Sequence, residues 1–127
     1  MSTLSPRPIR VLTVDDSASM RALLRGALTS RGFAVEQAED GQEALDWLAT
    51  NEVDVIITDI NMPRLDGFGL IEKLRASSMH AERPILVLTT ESSDEKKQRA
   101  RAAGATGWIV KPFDAEKLTT ALRRVTH

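Results

Sequence analysis

The sequence contains no cysteine, which excludes disulfides, thiolate metal sites and a cysteine nucleophile. Aromatic residues make up only 4% of it, too few for the stacking platforms that hold single-stranded nucleic acid. Neither sign of charge dominates, since 17 basic and 18 acidic residues leave a net charge of -1. That excludes a footprint for nucleic acid or anionic membrane spread over the whole surface. No apolar run approaches the ~20 residues of a membrane span. Residues 1–8 are polar, contain proline and lack the apolar core of a signal peptide. The expectation is a flexible segment over 1–8 and a cytoplasmic protein.

What is present suits a single globular domain. The chain has 127 residues, 42% of them apolar and 28% charged. Short apolar runs alternate with helical patterns from residue 9 to the end. Strands are expected over 9–14 (IRVLTV), 33–38, 53–58 (VDVIIT), 85–88 (ILVL) and 108–110. Ser17 can cap a helix whose inner stripe is Met20, Leu23, Leu24, Ala27 and Leu28, with Gly32 ending it. Asp40–Glu43 and Ser92–Glu95 have capping-box spacing, and Asp114 can cap the last helix. Residues 61–67 (NMPRLDG) form a loop. Five β-α units with near-continuous apolar strands imply a parallel sheet buried on both faces, with right-handed crossovers.

In such a sheet the ligand crevice lies beyond the carboxyl ends of the strands. Asp15-Asp16, Asp59, Thr89 and Lys111 each directly follow one of the apolar runs, so the fold gathers them. Two carboxylates ~5 Å apart repel by roughly 3 kcal/mol at an effective dielectric near 20. Three stay ionised only beside a cation, or one takes up a proton. Lys111 supplies one positive charge, and the all-oxygen ligand set suggests Mg²⁺ for the rest. A carboxylate beside a lysine and Mg²⁺ is equipped to accept a phosphoryl group.

Four stretches in order carry a resemblance: Val14-Asp15-Asp16-Ser17 with Met20-Arg21; Thr58 to Pro63 with Asp66-Gly67; Leu88-Thr89-Thr90-Glu91; and Gly104 to Phe113. The chain resembles the receiver domains of bacterial two-component response regulators, in particular stand-alone chemotaxis regulators of the CheY type. The resemblance spans residues 9–125 and implies a doubly wound, flavodoxin-like sheet of order 2-1-3-4-5, with the receiver domain over 9–127. It implies that Asp59 accepts phosphate from a histidine kinase, a chemotaxis kinase in this reading. It also implies that Asp16, Asp59 and the Asn61 backbone carbonyl ligate Mg²⁺, with Asp15 acting through water. Thr89 and Lys111 would contact the phosphoryl group, and the Lys111-Pro112 bond would be cis. Asn61 and Glu91 would tune dephosphorylation. Thr89 and Trp108 would form the switch, with Trp108 standing where tyrosine or phenylalanine is usual. The output surface would be the fourth helix, fifth strand and fifth helix of a monomer.

Several readings compete. Lys96, Lys97, Arg99 and Arg101 on the fourth helix are either a solvated face or an electrostatic docking surface. Output is expected at the flagellar motor switch; a phosphate sink or phosphorelay intermediate would share the same site. An aspartate-nucleophile phosphatase needs an acid two residues after the nucleophile, where this chain has Asn61, so the expectation is a protein that catalyses only its own phosphorylation and dephosphorylation. A nucleotide or flavin module needs a glycine- or hydroxyl-rich first loop rather than Asp-Asp-Ser. Trp47 is expected to pack, Asp54 and Asp66 to be strand-edge and turn residues, and His80 and His127 to carry no chemistry.

Overall fold

Alternation along three central strands separates two apolar cores. Strands β1 (Arg10–Val14), β2 (Ala34–Ala38), β3 (Val55–Thr58), β4 (Ile85–Thr89) and β5 (Gly107–Val110) alternate with helices α1 (Ala18–Thr29), α2 (Gly41–Leu48), α3 (Gly67–Arg75), α4 (Asp94–Ala103) and α5 (Ala115–Thr126). The computed structural model describes residues 7–126; the expected flexible segment lies outside the described residues except for Arg7 and Pro8, both exposed. His127 lies outside them too. All four ladders are parallel, and the strand order is β2-β1-β3-β4-β5. This is the doubly wound α/β sheet that the pattern and the resemblance imply. Leu12, Val14, Ile56, Ile85 and Val87 face α2, α3 and α4, where Phe68, Ile71 and Leu48 complete the first core. Val11, Val55, Ile57, Leu86 and Leu88 face α1 and α5 and meet Leu24, Leu28, Leu118 and Leu122. A strand buried on both faces has no polar side to show, which is why these runs read as continuous.

The outer strands differ. β2 leaves Ala34 and Glu36 exposed, and β5 has no fully buried residue, with Val110 exposed at the sheet edge. Leu23 leaves the expected stripe of α1 and is 60% exposed. The face toward the sheet is the narrower line of Leu24 and Leu28, four residues apart, and Leu23 lies about 100° off it.

Every helix is capped at its N-terminus by a side chain following the strand before it. Ser17 accepts from the Met20 N–H (3.2 Å), Asp40 from Glu43 (2.8 Å), Asp66 from Gly69 (2.8 Å), Ser93 from Lys96 (3.3 Å) and Asp114 from Lys117 (2.9 Å). Each such cap stabilises by about 1 kcal/mol. Two differ from expectation. The Glu43 carboxylate reaches back to the N–H of Glu39 rather than Asp40. Ser93, not Ser92, caps α4, so position three of that helix is Lys96 and no capping box closes.

Adjacent leucines on α1 test the packing. Leu24→Ala should cost about 2–5 kcal/mol, because Leu24 is fully buried. Leu23→Ala should change stability by no more than about 0.5 kcal/mol. Urea unfolding midpoints of the two variants check this, and equal losses would refute the assignment of the inner face.

Candidate functional site

The sheet's own hydrogen bonds continue one residue past three strands and pin the polar residues there. The Asp15 N–H donates to the Ala38 carbonyl (3.1 Å), Asp59 to Val14 (2.9 Å) and Lys111 to Thr89 (2.7 Å). Asp15 and Asp59 are nearly buried, at 2% and 9% exposure, and Asp16 is exposed. The Lys111 ammonium donates to Asp15 Oδ2 at 2.7 Å and to Asp59 Oδ2 at 2.8 Å. The second oxygen of each carboxylate is held by backbone: Asp15 Oδ1 by the Ser17 N–H (2.9 Å) and Asp59 Oδ1 by the Ile60 N–H (2.6 Å). Carboxylate oxygens of Asp15, Asp16 and Asp59 all lie within 4.8 Å of one another.

Burial opposes charge on the Lys111 ammonium, but the hydrogen bonds and field of Asp15 and Asp59 outweigh it, so its pKa stands above the ordinary lysine value. Three carboxylates against one ammonium leave a negative cup lined only by oxygen. The Asn61 carbonyl, at the start of the next loop, accepts no hydrogen bond among the described residues. This donor set fits a hard divalent cation.

Thr89 ends β4 fully buried. Its Oγ1 accepts from the Glu91 N–H at 3.3 Å, while its own proton has no acceptor among the described residues. The Trp108 indole N–H donates to the Glu91 carbonyl at 3.1 Å, and its half-buried ring packs on the first core. Thr89 and Trp108 therefore hold the two successive peptide groups that flank the Glu91 Cα. The Glu91 carboxylate accepts from the Asn61 amide (3.1 Å) and pairs with Lys96 (2.9 Å). Those contacts, Lys96 first, keep its pKa below the usual glutamate value. The Lys111-Pro112 peptide is cis.

Sequence reasoning singled out these positions but missed several of their partners. Lys96 pairs with Glu91 across the first turn of α4, a link that its spacing of five residues does not advertise. Arg21 donates to the Asp15 carbonyl at 2.6 Å, and its spacing from the Ser17 cap is the only hint that it returns there. His80 is buried and bonds the Leu48 carbonyl through Nε2 at 2.9 Å, closing the end of α2. Asp54 accepts from the Arg10 N–H and Asp66 caps α3, as edge and turn residues do. Trp47 packs on the first core.

The family of response regulator receiver domains matches residues 11–123. The chain belongs to that family. Receiver domains interact with histidine kinases and bind Mg²⁺ in an acidic pocket. The chain is 48% identical to chemotaxis protein CheY4 of Vibrio cholerae, covering 93% of this chain and 98% of that one with a TM-score of 0.88. It is similar to the receiver domain of sensor histidine kinase PA1611 from Pseudomonas aeruginosa PAO1, solved with a magnesium ion in its active site cleft (26% identity, 94% of this chain, 98% of that chain, TM-score 0.87). It is 41% identical over 116 residues to the response regulator MprA of Mycobacterium sp. strain KMS, covering 91% of this chain and 50% of that protein. The chain thus spans about half the length of the curated relatives it matches. No helix of the described residues is long and apolar enough to cross a membrane.

The Lys111 bridge predicts an alkaline transition. A lysine whose folded pKa is raised contributes stability that is complete below its ordinary value and is lost as pH rises through the folded one. Urea titrations from about pH 8 to about pH 11.5 should show the wild type losing stability relative to Lys111→Met only at the alkaline end. A constant difference across that range would refute the bridge.

Proposed function

We propose that this receiver domain takes a phosphoryl group from a histidine kinase onto Asp59 and signals by phosphorylation-dependent protein contact. The observation that carries this reading is the Lys111 ammonium bound at once to Asp15 and Asp59, with Asp16 beside them. Asp16, Asp59 and the Asn61 carbonyl would hold Mg²⁺, with Asp15 acting through water. The ion, when bound, neutralises charge on the phosphoryl oxygens. A carboxylate oxygen of Asp59 forms the bond to phosphorus as the phosphorus–nitrogen bond of phosphohistidine breaks and the imidazole leaves. Lys111 neutralises developing charge, and the unbonded Thr89 proton is available to a phosphoryl oxygen.

Turnover of external phosphate esters would need a neutral acid beside Asp59. Asn61 has none to give, and Glu91 is held ionised by Lys96 and Asn61. The protein therefore acts on itself alone, with Asn61 and Glu91 tuning the lifetime of the phosphate.

Thr89 and Trp108 form the switch. When the Thr89 hydroxyl turns to the phosphoryl group, it releases the Glu91 N–H, and the next peptide, whose carbonyl anchors the indole, loses the support on its other side. The ring also walls a groove of about 100 Å³ between α4 and β5, rimmed by Lys97 and Arg101. Signal and output surface thus share one side chain. Likeness to the chemotaxis protein CheY4 over nearly all of that chain supports a chemotaxis role; the flagellar motor switch is the partner proposed for it. The cationic rim suits an acidic partner segment.

Incubation with acetyl phosphate and Mg²⁺ should give a Phos-tag-shifted band that requires the metal and is absent in Asp59→Asn. Phosphorylation should also strengthen binding to a motor switch protein; rapid return of phosphate to the kinase without such binding would instead mark a phosphate sink. Beryllofluoride should change the fluorescence of a Trp47→Phe variant and leave a Trp108→Phe variant nearly flat. Equal responses would remove Trp108 from the switch.

A further inference from the structure

Arg64 alone among the described non-glycine residues has a positive φ, at 66°. Left-handed backbone costs a residue with a Cβ roughly 1–2 kcal/mol, so the surroundings must hold it. The guanidinium does so: Nε donates to Asp40 Oδ2 at 2.8 Å and Nη2 donates to Asp40 Oδ1 at 3.1 Å. Asp40 is itself fixed, because it is buried and caps α2 through the Glu43 N–H. The next residue pair makes a second tie. The Gly41 N–H donates to the Leu65 carbonyl at 3.1 Å, and a Cβ on Gly41 would stand 2.5 Å from that oxygen. The loop between β3 and α3 is thus strapped to the start of α2 at two consecutive residues.

The strapped loop carries Asn61. Between them lie Met62, packed on the first core, and Pro63, whose φ is locked by its ring. Displacement at Arg64 therefore has little chain in which to dissipate before it reaches the Asn61 carbonyl. Neither Arg64 nor Asp40 bonds to Asp15, Asp16 or Asp59, so both are positioning residues.

We propose that the Arg64–Asp40 pair sets the position of the Asn61 carbonyl and thereby the Mg²⁺ affinity of the site. The proposal rests on the metal-dependent phosphoacceptor reading given above. Mg²⁺ tolerates little departure from octahedral geometry at 2.0–2.1 Å, so a carbonyl released by a few tenths of an ångström is a poorer ligand. Loss of outer-shell support elsewhere costs about 10–100-fold in metal affinity. One backbone ligand among six should cost less, roughly 3- to 10-fold.

Calorimetric titration with MgCl₂ tests this without phosphorylation. Arg64→Gly takes the positive φ freely and lacks the guanidinium, so a loss of affinity comes from the missing strap and not from added backbone strain. It should remain folded, by circular dichroism, at the temperature of the titration and bind Mg²⁺ 3- to 10-fold more weakly, on the scale just argued. Arg64→Lys keeps the charge but not the two-pronged geometry and should be weakened similarly. Asp40→Asn preserves the α2 cap and should weaken binding too, and the double variant Asp40→Asn/Arg64→Gly should be no worse than either single one. Acetyl phosphate reactions should need more Mg²⁺ for half-maximal rate but reach nearly the wild-type rate at saturation. Wild-type binding with Arg64→Gly and Asp40→Asn both within about twofold of it would overturn the strap alone, since outer-shell loss is larger than that. Failure of the wild type itself to bind Mg²⁺ would overturn the metal-dependent reading and the strap with it.

Discussion

Repulsion among Asp15, Asp16 and Asp59 is the constraint on which the rest turns. Three carboxylates with oxygens within 4.8 Å of one another are tolerable only because Lys111 lies between two of them and backbone N–H groups hold their far oxygens. Breaking a buried pair by removing one partner is strongly destabilising, about 3–5 kcal/mol, because the other charge stays buried. The sheet bears this load through the ladder bonds that run past β1, β3 and β5. Two of the strands buried along their length, β1 and β3, carry the carboxylates at their ends, while the half-buried β5 carries Lys111. A looser scaffold would let the carboxylates separate and the site would lose its attraction for a cation.

The same compression links the site to the surface. Charge at Asp59 is felt by Glu91, whose carboxylate is claimed by Asn61 on one side and Lys96 on the other. Glu91's backbone is claimed by Thr89 and Trp108. A single residue thus joins the metal loop, the strand that ends in Thr89, the first turn of α4 and the aromatic wall of the α4–β5 groove. A rotation of the Thr89 side chain toward a new acceptor beside Asp59 would break its contact with the Glu91 N–H, on the residue that also anchors Trp108. No long pathway is needed, because the elements are one hydrogen bond apart.

Much of this was legible in the sequence for a definite reason. Strands buried on both faces leave unbroken apolar runs, so β1, β3 and β4 announce themselves, and each polar residue ending such a run must lie on one rim. Asp15 and Asp59 follow from that argument, and Lys111 from the shorter apolar run of β5. The edges were less legible: β5 carries an apolar sequence, yet exposes Val110, because burial there is decided by what lacks a neighbour rather than by its own residues. The Leu23 side chain is apolar but points outward for the same kind of reason. Contacts between loops leave no periodic trace. Arg64 and Asp40 are 24 residues apart, and nothing in either segment alone marks them as partners. Lys96 looked like one cation among four, and its pairing with Glu91 depends on α4 starting at Asp94 and not one residue earlier.

The helices are unequally anchored to the sheet. α3 buries five residues and α5 three, whereas α4 buries only Ala100. Its C-terminal end is pinned, since Arg75 donates to the Gly104 carbonyl through Nε (2.9 Å) and Nη2 (2.7 Å) and leaves no room for a side chain at Gly104. Its N-terminal end is held by the Glu91–Lys96 pair, a partly exposed contact that water and salt screen and that therefore holds weakly. Reversing a two-state equilibrium from 1:99 to 99:1 takes about 5.5 kcal/mol of differential interaction. A phosphoryl group that gains charged contacts with Lys111 and a hydroxyl contact with Thr89 can supply energy of that order only to an element that resists weakly. Under the proposed switch α4 would be that element, and pinning at one end would turn its release at the other into a tilt of the surface that carries Lys97, Arg101 and the groove beside Trp108.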